Sequence, residues 1–231
     1  MAHIHFIGGE KGGVGKSVVA RLLAQRFVDR SIPFAAVDGD QSSGALLRYY
    51  GEFTQTVDLT APESADQIMD RALGGERRVL VDLPAQSARS LWSWLSGANV
   101  FEFAREMGIR LSFWHVSDGG FASVSEIERA LELLKGEVQH FVVKNHGRSK
   151  DFSQFEQSDA RRRLDELAGK IFELPELEAN VMYAIDRFGS SFWAAIHQAD
   201  GESALKPLDR QRVRLWLQRC YTELDGFDGA L

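Results

Sequence analysis

Short apolar runs alternate along the chain with stretches whose apolar residues recur every three to four positions, the pattern of a parallel sheet flanked by helices. Residues 3–7 (HIHFI) read as a first strand and run into a glycine-rich turn. Val18, Val19, Leu22, Leu23, Ala24 and Phe27 then recur at helical spacing. Pro33 marks the entry to a second strand over 34–37 that ends on Asp38. Residues 62–76 predict a surface helix closing on Gly74-Gly75, and 79–81 a third strand ending on Asp82. Residues 87–107 read as helical, with Leu91, Trp92, Trp94 and Leu95 as a buried cluster. Strands over 110–116 and 140–144 bracket a helix carrying Ile127, Ala130, Leu131 and Leu134. A charged segment, 151–168, leads into a strand over 171–174 that Pro175 stops, and the remainder reads as mostly helical to about Leu224.

Composition narrows this picture. A chain of 231 residues fits one α/β domain over 1–231. At that size it buries roughly 70–75% of its unfolded surface and needs no disulfide or metal staple. With 27 basic against 33 acidic residues the net charge is −6, which argues against a protein that coats nucleic acid by bulk charge. Cys220 is the only cysteine, which excludes an intramolecular disulfide and a four-thiolate cluster within one chain. There is no run of 18 apolar residues, and the opening MAHIHFIGGEKGG has no basic n-region. Together these predict a protein of the reducing cytoplasm without stable membrane insertion. The six histidines show no metal-ligand spacing and read as structural or surface residues.

The strongest chemical signal is Lys11-Gly12-Gly13-Val14-Gly15-Lys16-Ser17, placed between a predicted strand and a predicted helix as a phosphate-binding loop requires. Glycines let backbone N–H groups wrap a phosphate, and the helix N-terminus adds a positive dipole end. Lys16 brings a mobile charge to the β- and γ-phosphates, and the Ser17 hydroxyl is a Mg²⁺ ligand. Carboxylates at Asp38, Asp40 and Asp82 end predicted strands, where ligands of open α/β sheets bind. Asp-Gly-Asp is also ordinary turn chemistry, and Asp82 could equally be a turn or N-cap residue.

The loop departs from the standard form: Glu10 stands where a standard Walker A loop has glycine, and Lys11 is an additional lysine. GGEKGGVGKS resembles the deviant Walker A motif of the ParA/MinD family of ATPases. The resemblance implies a three-layer α/β P-loop NTPase fold, its mostly parallel central sheet covered by helices on both faces. It implies ATP and Mg²⁺ as ligands, with Gly12, Gly13, Val14, Gly15, Lys16 and Ser17 around the phosphates. Lys11 would reach across a nucleotide-sandwich homodimer to the partner's phosphates; the plainer alternative is a solvated loop lysine. Val37-Asp38-Gly39-Asp40-Gln41 resembles the D-x-D-P-Q stretch of ParA proteins, although Gly39 and Ser42 differ from the commonest pattern. By that resemblance Asp40 positions the attacking water and Asp38 supports Mg²⁺ or its water shell. Val79 to Ala85 resembles a Walker B strand followed by D-x-P-A, so Asp82 would hold Mg²⁺ through water. Gln86 stands where MinD-like proteins often carry a γ-phosphate-sensing glycine. Asn145 is a candidate adenine contact or a turn former.

Beyond these motifs, LPAQSARSLWSWL, HVSDGG, VVKNHG and ELPELEANVMYAID resemble the conjugal-transfer TraL-like branch, and GGEKGG is similar to division-site positioning ATPases of the MipZ type. The implied function is a slow, partner-stimulated ATPase switch for partitioning, positioning or conjugative transfer of DNA or a large assembly. It would dimerise with ATP and engage a protein adaptor. The alternatives are an ATP-dependent metabolic ligase or kinase of the same superfamily, and a regulatory binding protein with little hydrolysis. Arg161, Arg162, Arg163, Arg210, Arg212, Arg214 and Arg219 could touch DNA phosphates, but Asp159, Asp165, Glu166 and Asp209 interrupt them, so a solvated mixed-charge surface is expected. Val213, Trp216, Leu217, Cys220 and Leu224 share one face of the last helix, followed by Asp225 and Asp228, which predicts packing on the core rather than on a membrane.

Overall fold

The structure, a computed structural model, describes residues 1–40, 44–75 and 78–227. In chain order the elements are β1 (His3–Gly8), α1 (Lys16–Asp29), β2 (Phe34–Asp38), α2 (Ala45–Tyr49), a 3₁₀ turn (Gly51–Phe53), β3 (Thr54–Thr56), α3 (Pro62–Leu73), β4 (Arg78–Asp82), α4 (Ala88–Gly97) and α5 (Val100–Glu106). They continue with β5 (Arg110–Ser117), α6 (Phe121–Leu134), a second 3₁₀ turn (Lys135–Glu137), β6 (Gln139–Asn145), α7 (Ser153–Glu156), α8 (Asp159–Glu166), β7 (Lys170–Leu174), α9 (Ala179–Phe188), α10 (Phe192–His197) and α11 (Pro207–Asp225).

All described strand pairs are parallel, in the order β3-β2-β4-β1-β5-β6-β7. Parallel strands need helical crossovers, so both sheet faces are covered and the strands are apolar on both sides. Side-chain alternation divides β1 between two cores. Ile4 and Phe6 join Val79, Val81, Leu111 and Phe113 beneath α3, α4 and α5. Ile7 joins Leu80, Trp114 and Phe141 beneath α1 and α11. Val213, Trp216, Leu217, Cys220 and Leu224 of α11 are buried in that second core, as their spacing predicts.

The sheet interior also holds four buried histidines. His3 Nε2 lies 2.6 Å from Ser112 Oγ, and Trp114 Nε1 donates to His5 Nδ1 at 3.4 Å. His115 Nε2 and His140 Nδ1 are 3.0 Å apart. Burial lowers the pKa of all four, that of His3 to about 3.

Three details differ from the sequence pattern. The helix expected over 87–107 is two helices, broken at Asn99, whose φ of 48° is left-handed. Within the expected cluster Leu91, Trp94 and Leu95 are buried, whereas Trp92 is only half-buried beside Phe101. The short edge strand β3 and helix α2 fall where the apolar pattern gives no reading. Gln41, Ser42 and Asp228 lie outside the described residues.

Candidate nucleotide site

β1 leaves the middle of the sheet with β4 on one side and β5 on the other, so the loop after it meets the ends of three strands. Gly8 must be glycine because an added Cβ would run into the Phe113 ring. The loop ends on Gly15 at φ 107°, a conformation that L side chains rarely adopt. Gly15 O then accepts the N–H groups of Val18 and Val19 at 3.0 and 3.1 Å, opening α1. No side chain caps this end and no acidic residue occupies its first turn, so the helix dipole faces the loop unopposed.

Lys16, the first residue of α1, is buried, and its Nζ donates to the Lys11 carbonyl at 3.1 Å. Burial lowers its pKa, against the pull of Asp82, Glu10 and Glu126. Ser17 hydrogen-bonds the carboxylate of Asp82 at the end of β4. Asp82 is 4% exposed, and its Oδ1 has no hydrogen-bond partner among the described residues. Burial first, and the neighbouring Asp38 second, push its pKa up to about 7. An orphaned carboxylate oxygen at a serine hydroxyl, beside a lysine and a glycine loop, fits a divalent cation with a phosphate.

Asp38 and Asp82 are register partners on adjacent strands, so the two carboxylates sit side by side. Asp38 is fully buried and its oxygens receive backbone N–H groups: Asp40 at 3.0 Å, Leu46 at 2.9 Å and Leu47 at 3.2 Å. It therefore caps the first turn of α2 and shapes the turn that presents the half-buried Asp40. Burial raises its pKa despite these three bonds.

Asn145, at the end of β6, is turned inward. Its Nδ2 donates to Val14 O at 2.7 Å, and its Oδ1 accepts Gly147 N at 3.0 Å. A Cβ at Gly15 would collide with this amide, so Asn145 braces the glycine loop from behind.

Lys11 faces the opposite way. It is 43% exposed, and its Nζ lies 2.5 Å from Asp118 Oδ2. Asp118 Oδ1 accepts Ser123 Oγ at 2.7 Å and Gly120 N at 3.2 Å. Burial opposes it, but these bonds hold the Asp118 carboxyl below its usual range. Glu126 of α6 accepts the backbone N–H groups of both Glu10 and Lys11, the latter at 3.1 Å. Asp118 and Glu126 were not singled out from the sequence. The strand-end rule that flagged Asp38 and Asp82 applies equally to Asp118, which follows the end of β5; Glu126 looks like any surface glutamate on a helix.

No family model matches the chain. Among curated relatives, Protein TraL of Escherichia coli is 24% identical over 98% of both chains. Protein MobD of Acidithiobacillus ferrooxidans is 22% identical over 77% of this chain and 79% of its own. Among solved structures, the MinD cell division protein of Aquifex aeolicus superposes with a TM-score of 0.55 at 14% identity, over 96% of this chain and 98% of its own. The chain has a ParA/MinD-like P-loop fold. The ParA family ATPase of Chlorobium tepidum TLS agrees, with a TM-score of 0.54 at 13% identity over 94% and 98% of the two chains. The ParA/MinD-like fold places the glycine loop and the strand-end carboxylates on one rim of the sheet, as the sequence motifs implied.

Proposed function

We propose that the protein is a nucleotide-driven switch that binds ATP with Mg²⁺, closes into a homodimer and hydrolyses the nucleotide slowly. The observation that carries this is the division of labour between two lysines of one loop. Lys16 is buried against the loop beside Ser17 and Asp82, while Lys11 stands outward on Asp118. A single phosphate-binding lysine serves a simple kinase; a second, outward one has value where it meets phosphates held by another copy.

In this reading the loop amides from Gly12 to Ser17, with Val14 and Gly15 at the turn, wrap the phosphates, and Lys16 neutralises their charge. Ser17 would hold Mg²⁺ directly and Asp82 through water, and the ion would offset phosphate charge. Asp38 supports this from behind by fixing α2 and the Asp40 turn. Asp40 orients the hydrolytic water. Asn145 is committed to Val14 and Gly147, so its first duty is to brace the loop, and its second N–H and second oxygen lone pair remain for an adenine ring.

The likeness to TraL and MobD supports a role in conjugative transfer, with a protein adaptor or stimulating partner. Direct DNA binding draws little from four of the seven candidate arginines, which are paired with carboxylates. Arg161 pairs with Asp165 and Glu156, Arg162 with Asp159, Arg163 with Glu132 at 2.6 Å, and Arg212 with Glu178 and Asp209, both at 2.8 Å. Among the described residues no helix is long and apolar enough to cross a membrane. Calorimetry with Mg-ATP and Mg-ADP tests the reading: saturable binding supports it, and absence of binding removes it.

A further inference from the structure

Glu10 occupies the loop position where a standard phosphate loop has glycine, and its side chain reaches α4. Its Oε1 accepts the N–H of Ala88, the first residue of α4, at 2.8 Å. Its carbonyl accepts the N–H of Gln86 at 3.3 Å. Gln86 itself is held at φ 61°, a left-handed conformation that glycine favours and other residues rarely adopt. The Ser87 side chain makes no capping bond to α4, so the Glu10 carboxylate, from 78 residues away, acts as the cap.

The other side of the same two residues is tied to α6. Glu126 accepts both backbone N–H groups, and Lys16 Nζ holds the Lys11 carbonyl. Between α4 and α6 lies a cavity of about 110 Å³, with Gly9, Glu10, Leu91, Trp92, Ile127 and Leu134 among its lining residues. Residues 10 and 11 thus bond to both helices beside this cavity, Glu10 to the first turn of α4 and both backbone N–H groups to Glu126 of α6.

We infer that Glu10 is a positioning residue that transmits the occupancy of the loop to the first turn of α4. The inference rests on the nucleotide reading above. A phosphate arriving at the glycine loop competes for the Lys16 ammonium and releases the Lys11 carbonyl. Residues 10 and 11 then shift as a unit, since Glu126 grips both amides. The Glu10 carboxylate carries that shift into α4, and the space between α4 and α6 absorbs it. A partner that reads α4 reads the nucleotide state without touching the nucleotide.

Amide hydrogen exchange of the segment 84–95 is the direct test, with wild type, Glu10→Ala and Glu10→Gln, each without nucleotide, with Mg-ADP and with a slowly hydrolysed ATP analogue. Calorimetry on the same samples measures binding separately. In wild type, nucleotide should change the exchange of the first turn of α4. In Glu10→Ala, nucleotide should still bind, but that turn should exchange about five- to tenfold faster and no longer respond, as expected for a lost cap. Glu10→Gln keeps an acceptor oxygen and should retain the response. An alanine variant that binds nucleotide and responds as wild type overturns the inference and leaves the nucleotide reading standing. A wild type that binds nucleotide with no change in α4 also overturns it. A wild type that binds no nucleotide overturns both. If the alanine variant fails to fold, the glutamine variant decides: loss of response in a folded, nucleotide-binding Glu10→Gln contradicts the acceptor role.

Discussion

At the scale of single residues, the loop separates charge by burial. Lys16 is desolvated and points back into the loop, so its ammonium has much to gain from a phosphate. Lys16→Ala should weaken Mg-ATP binding by roughly 1.5–3 kcal/mol or more, the worth of a charge-assisted bond; unchanged affinity in calorimetry would remove the loop assignment. Lys11 sits in a surface pair with Asp118, and such pairs contribute about 0–1 kcal/mol, so it can leave Asp118 at little cost. Asp40→Ala should cut hydrolysis by a factor of roughly 10² while leaving nucleotide affinity within about tenfold. Phosphate release at the wild-type rate would make Asp40 a turn residue only. These residues were legible because glycine spacing and strand-end carboxylates are local signals. The inward turn of Asn145 and the grip of Glu126 were not, because each depends on an element more than 100 residues distant.

At the scale of elements, the apolar pattern located the long strands and helices because each buries a face with a fixed period. It missed β3, three residues long and partly exposed, and α2, whose start is set by the remote carboxylate of Asp38 rather than by its own sequence. The pattern also could not say that β1, β5 and β6 bury their histidines completely. Those histidines make stability depend on pH. Their folded pKa values are lowered, so below the unfolded value of about 6.5 the unfolded chain binds protons that the folded chain refuses. Stability is therefore full above pH 6.5 and falls as the pH drops below it, by up to about 1.4 kcal/mol per pH unit for a histidine that stays neutral in the folded chain. Asp82 works in the opposite direction below about 7, and Asp38 and Glu126, whose carboxyl pKa values burial also raises, act in the same sense as Asp82. Urea unfolding at pH 7.5 and 5.5 should show a clearly lower midpoint at pH 5.5; an unchanged or higher midpoint would contradict the burial of neutral histidines. His3→Gln should reduce the difference between the two pH values.

At the scale of the molecule, the resemblance implied a mostly parallel sheet covered on both faces, but the order of its strands was legible neither in the motifs nor in the periodicity, which names strands but not neighbours. The order matters because it places β1 between β4 and β5, so that the loop, Asp82 and Asp118 share one rim. What one copy leaves on that rim is an outward lysine, held by a weak surface pair. In the proposed switch this lysine is completed by a second copy. Light scattering of wild type and Lys11→Ala, each with Mg-ADP and with a slowly hydrolysed ATP analogue, tests it most directly. Wild type should be monomeric with ADP and dimeric with the analogue. Lys11→Ala should bind nucleotide within about tenfold of wild type, a difference of roughly 1.4 kcal/mol, and stay monomeric throughout. A wild type that remains monomeric with the analogue, or a Lys11→Ala variant that dimerises as wild type does, would rule out a dimer closed by Lys11.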